Sequence, residues 1–126
     1  MRLLLDTRII IWWSTGSPTL GRRAGDLICA GDSRLFVSAV SWWELAVKTS
    51  IGRLHFDFAA VREELERREV TMLPITMAHA ETAAALKRLH RDPFDHMLVA
   101  QAIDESLVLL TRDVHLKLYG SHVLCV

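Results

Sequence analysis

Short runs of consecutive apolar residues alternate with longer amphipathic stretches along this chain. The runs at 3–5, 35–37, 72–75, 108–110 and 123–126 lack the strict alternation of a half-exposed strand. They predict strands covered on both faces, the pattern of a parallel sheet. Between them, apolar residues recur at helical spacing over 8–13, 18–30, 41–51, 57–69, 77–88 and 94–105, and a shorter helix is expected at 114–118. Strand followed by helix, repeated, marks the α/β class with a central parallel β-sheet flanked by helices. Open sheets of this kind bind ligands beyond the carboxyl ends of their strands, so chemistry is sought at that edge.

Acidic residues gather where that edge is expected. Asp6 directly follows Leu3-Leu4-Leu5, and Asp113 comes three residues after Leu110. Each could equally cap the helix that follows. Glu44 closes Ser41-Trp42-Trp43-Glu44, a spacing that also fits a capping box, and Lys48 stands four residues on for an exposed ion pair. On a helical projection of 94–105, Asp95 centres an arc containing Leu98, Val99, Ala102 and Ile103, while His96, Gln101, Asp104 and Glu105 take the other side. A carboxylate in an apolar arc is costly to bury unless it is paired, hydrogen-bonded or metal-bound. Asp92-Pro93 reads as a cap followed by proline at the first helical position, leaving Asp95 as the acid with a task beyond capping.

Length and composition narrow the setting. With 126 residues the chain is expected to form one domain over 1–126, and 51% apolar residues exclude intrinsic disorder. Fifteen basic residues offset fifteen acidic ones, so a nucleic-acid partner would need a local basic patch. Arg22, Arg23, Arg53, Arg88, Arg91 and Arg112 are candidates for it, with Arg91 and Arg112 nearest the acidic motifs. Cys29 and Cys125 lack metal or disulfide spacing and read as small buried apolar residues. Leu3–Leu5 is too short for a signal peptide, which leads to a cytoplasmic expectation. The six histidines, at 55, 79, 90, 96, 115 and 122, pair with no Ser or Cys nucleophile and read as surface or capping residues. Of the pairs Trp12-Trp13 and Trp42-Trp43, at most one ring each should be fully buried, the other serving a protein interface.

If Asp6, Glu44, Asp95 and Asp113 converge, their repulsion calls for protons or for a cation. An all-oxygen set favours Mg²⁺ or Mn²⁺ over zinc. A water activated by such an ion can attack a phosphodiester, and hydrolysis of that bond is the reaction that fits.

The segments Leu3-Leu4-Leu5-Asp6-Thr7, Val37-Ser38-Ala39 leading to Trp43-Glu44, His90-Arg91-Asp92-Pro93-Phe94-Asp95 leading into Leu98-Val99-Ala100-Gln101-Ala102, and Leu109-Leu110-Thr111-Arg112-Asp113 occur in this order over nearly the whole chain. In these the sequence resembles the PIN-domain family, specifically its VapC-type ribonuclease toxins of toxin-antitoxin pairs. The resemblance implies a PIN fold and a catalytic, metal-holding set of Asp6, Glu44, Asp95 and Asp113, with Thr7 and Thr111 as supporting residues. It also implies endonucleolytic RNA cleavage with Mg²⁺ or Mn²⁺, a homodimer, and inhibition by a VapB-type antitoxin. One departure stands out: such toxins commonly carry His after Asp-Thr, where this chain has Arg8. Arg8, with Arg91 and Arg112, is then a candidate for substrate phosphate.

A second reading is a PIN-like module that binds an antitoxin or RNA without turnover. Two further acid-edge α/β classes fit poorly: phosphatases of this type carry a second Asp where Arg8 stands, and the Lys of a receiver domain is not found at a strand end.

Overall fold

The structure is a computed structural model that describes residues 1–88 and 92–126. Five strands, β1 (Arg2–Leu5), β2 (Arg34–Ser38), β3 (Thr71–Leu73), β4 (Val108–Thr111) and β5 (Val123–Cys125), form one sheet in the order β3-β2-β1-β4-β5. Every pairing is parallel, with Leu4 opposite Phe36 on one side and Leu109 on the other. Six helices accompany them: α1 (Thr7–Ser14), α2 (Arg22–Cys29), α3 (Ala39–Ser50), α4 (Phe58–Arg67), α5 (Met77–Ala85) and α6 (Pro93–Asp104). Two 3-10 turns, Pro18–Leu20 and Val114–Tyr119, complete the described elements. Among the described residues, no helix is long and apolar enough to cross a membrane.

The central strand explains why the apolar runs are continuous. Leu3 and Leu5 face one way, into a core with Ile9 and Ile10 of α1, Ala24 and Ile28 of α2 and Leu65 of α4. Leu4 faces the other way, onto Leu98, Val99 and Ala102 of α6. All three leucines are fully buried, because each side chain meets a helical layer.

Several local expectations need correction. The helix expected over 18–30 divides at Gly21, whose φ of +80° and ψ of 155° no helix can adopt. The helix expected at 77–88 stops at Ala85, where Leu86 turns extended. The third strand is Thr71–Leu73, so Pro74 and Ile75 lie beyond it. Cys29 is exposed and Cys125 half-buried. Trp12, Trp13 and Trp42 are half-buried and Trp43 exposed, within the expected limit of one fully buried ring per pair.

Candidate active site

Each acid reaches the carboxyl edge through a separate strand-to-helix junction. Asp6 ends β1 and is the N-cap of α1, where its Oδ1 accepts the Arg8 N–H at 3.4 Å. The β1–β4 ladder continues as far as this residue, since the Asp6 N–H donates to the Leu110 carbonyl at 3.1 Å. Asp113 follows β4 and caps the Val114–Tyr119 turn, accepting the His115 N–H at 2.9 Å. Both therefore do cap helices, and capping also fixes them at the edge of the sheet.

At α3 the cap differs from expectation. Ser38, the last residue of β2, accepts the Val40 N–H at 3.0 Å, which moves the helix start three residues earlier than a Ser41 cap would. Ser41 and Glu44 thus lie inside the helix, one turn apart on a buried face. Glu44 is only 4% exposed, and Lys48 pairs with its Oε2 at 2.6 Å. In α6, Asp92 is the cap as expected, accepting the N–H groups of Phe94 and Asp95 at 2.9 and 3.4 Å. Asp95 stands in the first turn, half-buried.

Two threonines hold the buried acids in place. The Thr111 hydroxyl donates to Asp6 Oδ2 at 2.5 Å and accepts the Asp113 N–H at 3.0 Å, tying two of the acids to one side chain. The Thr7 hydroxyl lies 2.7 Å from Glu44 Oε1 and 3.0 Å from Ser41 Oγ. Thr7 thereby links α1 to α3, and Thr111 links β4 to β1.

The acids influence one another's ionisation. Burial pushes Asp95 up to about 8, and the charges of Asp6, Asp92, Glu44 and Asp113 add to that effect in decreasing order. Asp6 is also raised, first by burial and further by Glu44, against the opposing pull of the Thr111 hydrogen bond, the Arg8 N–H and the Arg8 charge. Among the described residues, no three His, Cys, Asp or Glu side chains already stand together as a metal cluster. The carboxylates are close enough to feel each other, while Glu44 is drawn to Lys48 and Thr7. The donor set fits a hard divalent cation, because the four acids offer only oxygens, and burial together with neighbouring carboxylates disfavours a bare charge on Asp95.

The basic candidates separate. Arg8 is exposed beside Asp6. Arg112 directs its guanidinium at the carbonyls of Thr19 and Leu20 and lies over the Trp12 ring at 5.8 Å, pinning the Pro18–Leu20 turn to the end of β4. Arg91 lies outside the described residues, as does His90.

Residues 3–120 match the family model of the PIN domain. This chain belongs to the PIN-domain family. The PIN domain is 32% identical over 117 residues to Ribonuclease VapC22 of Mycobacterium tuberculosis, covering 91% of this chain and 89% of that protein. Its fold matches a VapBC2 complex from Rickettsia felis bound to a promoter DNA fragment, at a TM-score of 0.69 and 16% identity over 100% of this chain and 98% of the other. A toxin-antitoxin complex from Klebsiella pneumoniae matches at 0.65, with 21% identity over 97% and 95% of the two chains. The parallel sheet with helices on both faces is thus the architecture these structures share.

Some polar residues of this PIN domain were not legible as important. His96 and Gln101, expected on a polar face of α6, are buried. The α5 helix lies against that face, and His96 satisfies both ring nitrogens there, donating to the Ala83 carbonyl at 2.6 Å and lying 3.1 Å from the Tyr119 hydroxyl. His79 is buried too, and it is a capping residue, completing a capping box with Thr76. Gln101 reaches Ser38, far from it in sequence. An amide between two alanines, Ala100 and Ala102, was the one available hint that a neighbour approaches closely there.

Proposed function

We propose that this chain is a metal-dependent endoribonuclease acting as the toxin of a toxin-antitoxin pair. The observation that carries the reading is the placement of Asp6, Glu44, Asp95 and Asp113 at strand-to-helix junctions along one edge of a PIN fold, near enough that the other three charges all raise Asp95. Its 32% identity to a protein named a ribonuclease supports the substrate. The matches to toxin-antitoxin complexes support a VapB-type antitoxin as partner.

Asp6, Glu44, Asp95 and Asp113 would hold Mg²⁺ or Mn²⁺. Such an ion, once bound, supplies the charge that makes water a competent nucleophile at neutral pH and offsets charge growing on the phosphate. The chain's own work is to hold those ligands. Thr111 keeps Asp6 oriented through its 2.5 Å bond, and Thr7 does the same for Glu44 at 2.7 Å. Arg8, exposed next to Asp6, would meet a substrate phosphate, which a net-neutral chain can attract only locally. Arg112, occupied with the Pro18–Leu20 turn, contributes to that surface less directly. The protein is taken to act in the cytoplasm as a homodimer.

A second reading, a PIN module that binds an antitoxin or RNA without turnover, draws on the Lys48–Glu44 pair, which already gives one acid a cation. The two part in one experiment. Purified, antitoxin-free protein is incubated with total RNA in Mg²⁺ or Mn²⁺, beside EDTA and an Asp95→Asn control. Discrete fragments that disappear in both controls are expected; intact RNA from folded, metal-loaded protein would favour the binding module.

A further inference from the structure

We infer that Gln101 is a positioning residue for the acidic site, holding α6 against the start of α3 and so setting how Asp95 meets Glu44. Its functional consequence rests on the metal-dependent reading above, while its geometry stands apart from it.

Gln101 is fully buried in the middle of α6, between residues that pack on the sheet. An amide in such a place is costly unless every polar atom is met, and its side-chain hydrogen bonds reach Ser38, Pro74 and His79, all outside its own helix. Its Oε1 accepts the Ser38 hydroxyl at 2.5 Å. Its Nε2 donates to the Pro74 carbonyl at 3.1 Å and lies 3.3 Å from His79 Nδ1. One amide thus ties α6 to the end of β2, to the segment after β3 and to α5.

The Ser38 contact is the one that matters for the site. The Ser38 oxygen also accepts the Val40 N–H at 3.0 Å as the N-cap of α3, so its single hydroxyl proton is committed to Gln101. The bond therefore joins the first turn of α3 to α6. Moving six residues forward along α3 leads to Glu44, and six residues back along α6 leads to Asp95, a displacement of roughly 9 Å on each helix. At that second level the helices meet again, where Trp43 and Phe94 pack edge to face with centroids 5.2 Å apart. Two ties at different heights fix both the register and the angle of the helix pair.

That matters because Glu44 and Asp95 stand on the two helices that these ties hold together, so the spacing of α3 and α6 sets the spacing of the two acids. The Ser38–Gln101 bond fixes that spacing from the far end of the pair, and His79 keeps the amide from turning away. His79 Nδ1 accepts the Thr76 N–H at 3.0 Å, which leaves the ring proton on Nε2, 2.8 Å from Glu105 Oε1. The imidazole is thereby locked with its acceptor nitrogen toward Gln101.

The test compares Gln101→Met, which keeps length and loses the hydrogen bonds, with Ser38→Ala, Ser38→Thr and the Gln101→Met/Ser38→Ala pair. Leu65→Ala, in the core under α4, serves as a control of matched stability loss. Two readouts are taken: the Mn²⁺ Kd by calorimetry, and the NMR position of the Trp43 indole, which senses the Phe94 ring across the two helices. Expected are a weakening of Mn²⁺ binding on the order of tenfold in Gln101→Met, as for supporting partners of metal ligands, and a shifted Trp43 resonance. Leu65→Ala should change neither. The double variant should be no worse than the poorer single one, and Ser38→Thr, which keeps the hydroxyl, should bind as wild type does. A Gln101→Met protein that loses stability yet keeps its Mn²⁺ Kd within twofold and its Trp43 resonance in place would overturn the inference. Should wild type bind no Mn²⁺, the proposed function fails, and the Trp43 resonance alone decides the clamp: unmoved in Gln101→Met, it is refuted; moved, it stands.

Discussion

Asp95 is a carboxyl group whose surroundings oppose its charge. Its folded value of about 8 lies above the ordinary 3.8. Between those limits the folded chain holds a proton that the unfolded chain releases, so this group lowers stability as pH rises from about 4 to about 8. Asp6, raised in the same direction, adds to that slope. The melting temperature of metal-free protein is therefore expected to fall from pH 5 to pH 8, and to fall less in Asp95→Asn; parallel pH profiles for the two would contradict the assignment. Thr111→Val removes the hydroxyl that steadies Asp6 while keeping its shape. A loss of about 1–3 kcal/mol is expected in urea unfolding at pH 8, the range for a buried polar group left unmet, with a smaller deficit at pH 5, where more Asp6 is protonated. The acids themselves were legible from their places after apolar runs. Their threonine partners were legible only through family resemblance, because a hydrogen bond between Asp6 and Thr111 leaves no local trace in sequence.

The helices carry the acids in different ways, and Asp92 and Asp95 show the contrast within one turn of α6. Asp92 meets two N–H groups as a cap, whereas Asp95 is raised by burial and by the charges of Asp6, Asp92, Glu44 and Asp113. Asn caps about as well as Asp. Asp92→Asn should therefore change stability by only a few tenths of a kcal/mol and retain RNA cleavage, while Asp95→Asn should reduce cleavage on the order of a hundredfold or more, as loss of charge stabilisation does. Rate measurements on both variants, with melting curves beside them, check the pair. Periodicity located these helices well where one face met the core. It misplaced the polar face of α6 because α5 covers that face, and a helical projection shows where polar residues point without showing what lies opposite. The same applies at α3, where a Ser41–Glu44 spacing suited to a cap is used instead to meet Thr7 across two helices.

For the molecule as a whole, acids outnumber bases at the carboxyl edge of the sheet. Under the proposed function, a divalent cation bound there would stabilise the folded chain through mass action and displace the proton that Asp95 otherwise retains near neutrality. Mn²⁺ is expected to raise the melting temperature more at pH 7.5 than at pH 5.5, and to release protons on binding at pH 7; an equal shift at both values would count against Asp95 as a ligand. Strand order was not readable from the apolar runs alone, since β1 pairs with both β2 and β4 although one follows it and the other lies a hundred residues away. What was readable was the burial of the three inner strands on both faces, and with it the parallel class; the edge strands depart from it, with Thr71 and Met72 of β3 exposed and β5 half-buried, because each has a neighbouring strand on one side only.

The bond between Thr111 and Asp6 spans 105 positions of sequence, and it has a kinetic meaning. Helices such as α5 and α6 can form and dock through neighbouring residues, but the central pairing of β1 with β4 closes the longest loop in the sheet and belongs to the slow, non-local part of folding. The acids at 6, 44, 95 and 113 meet only after that closure. During refolding, helical signal should return first and function last, and a partly folded chain, however helical, is a harmless one.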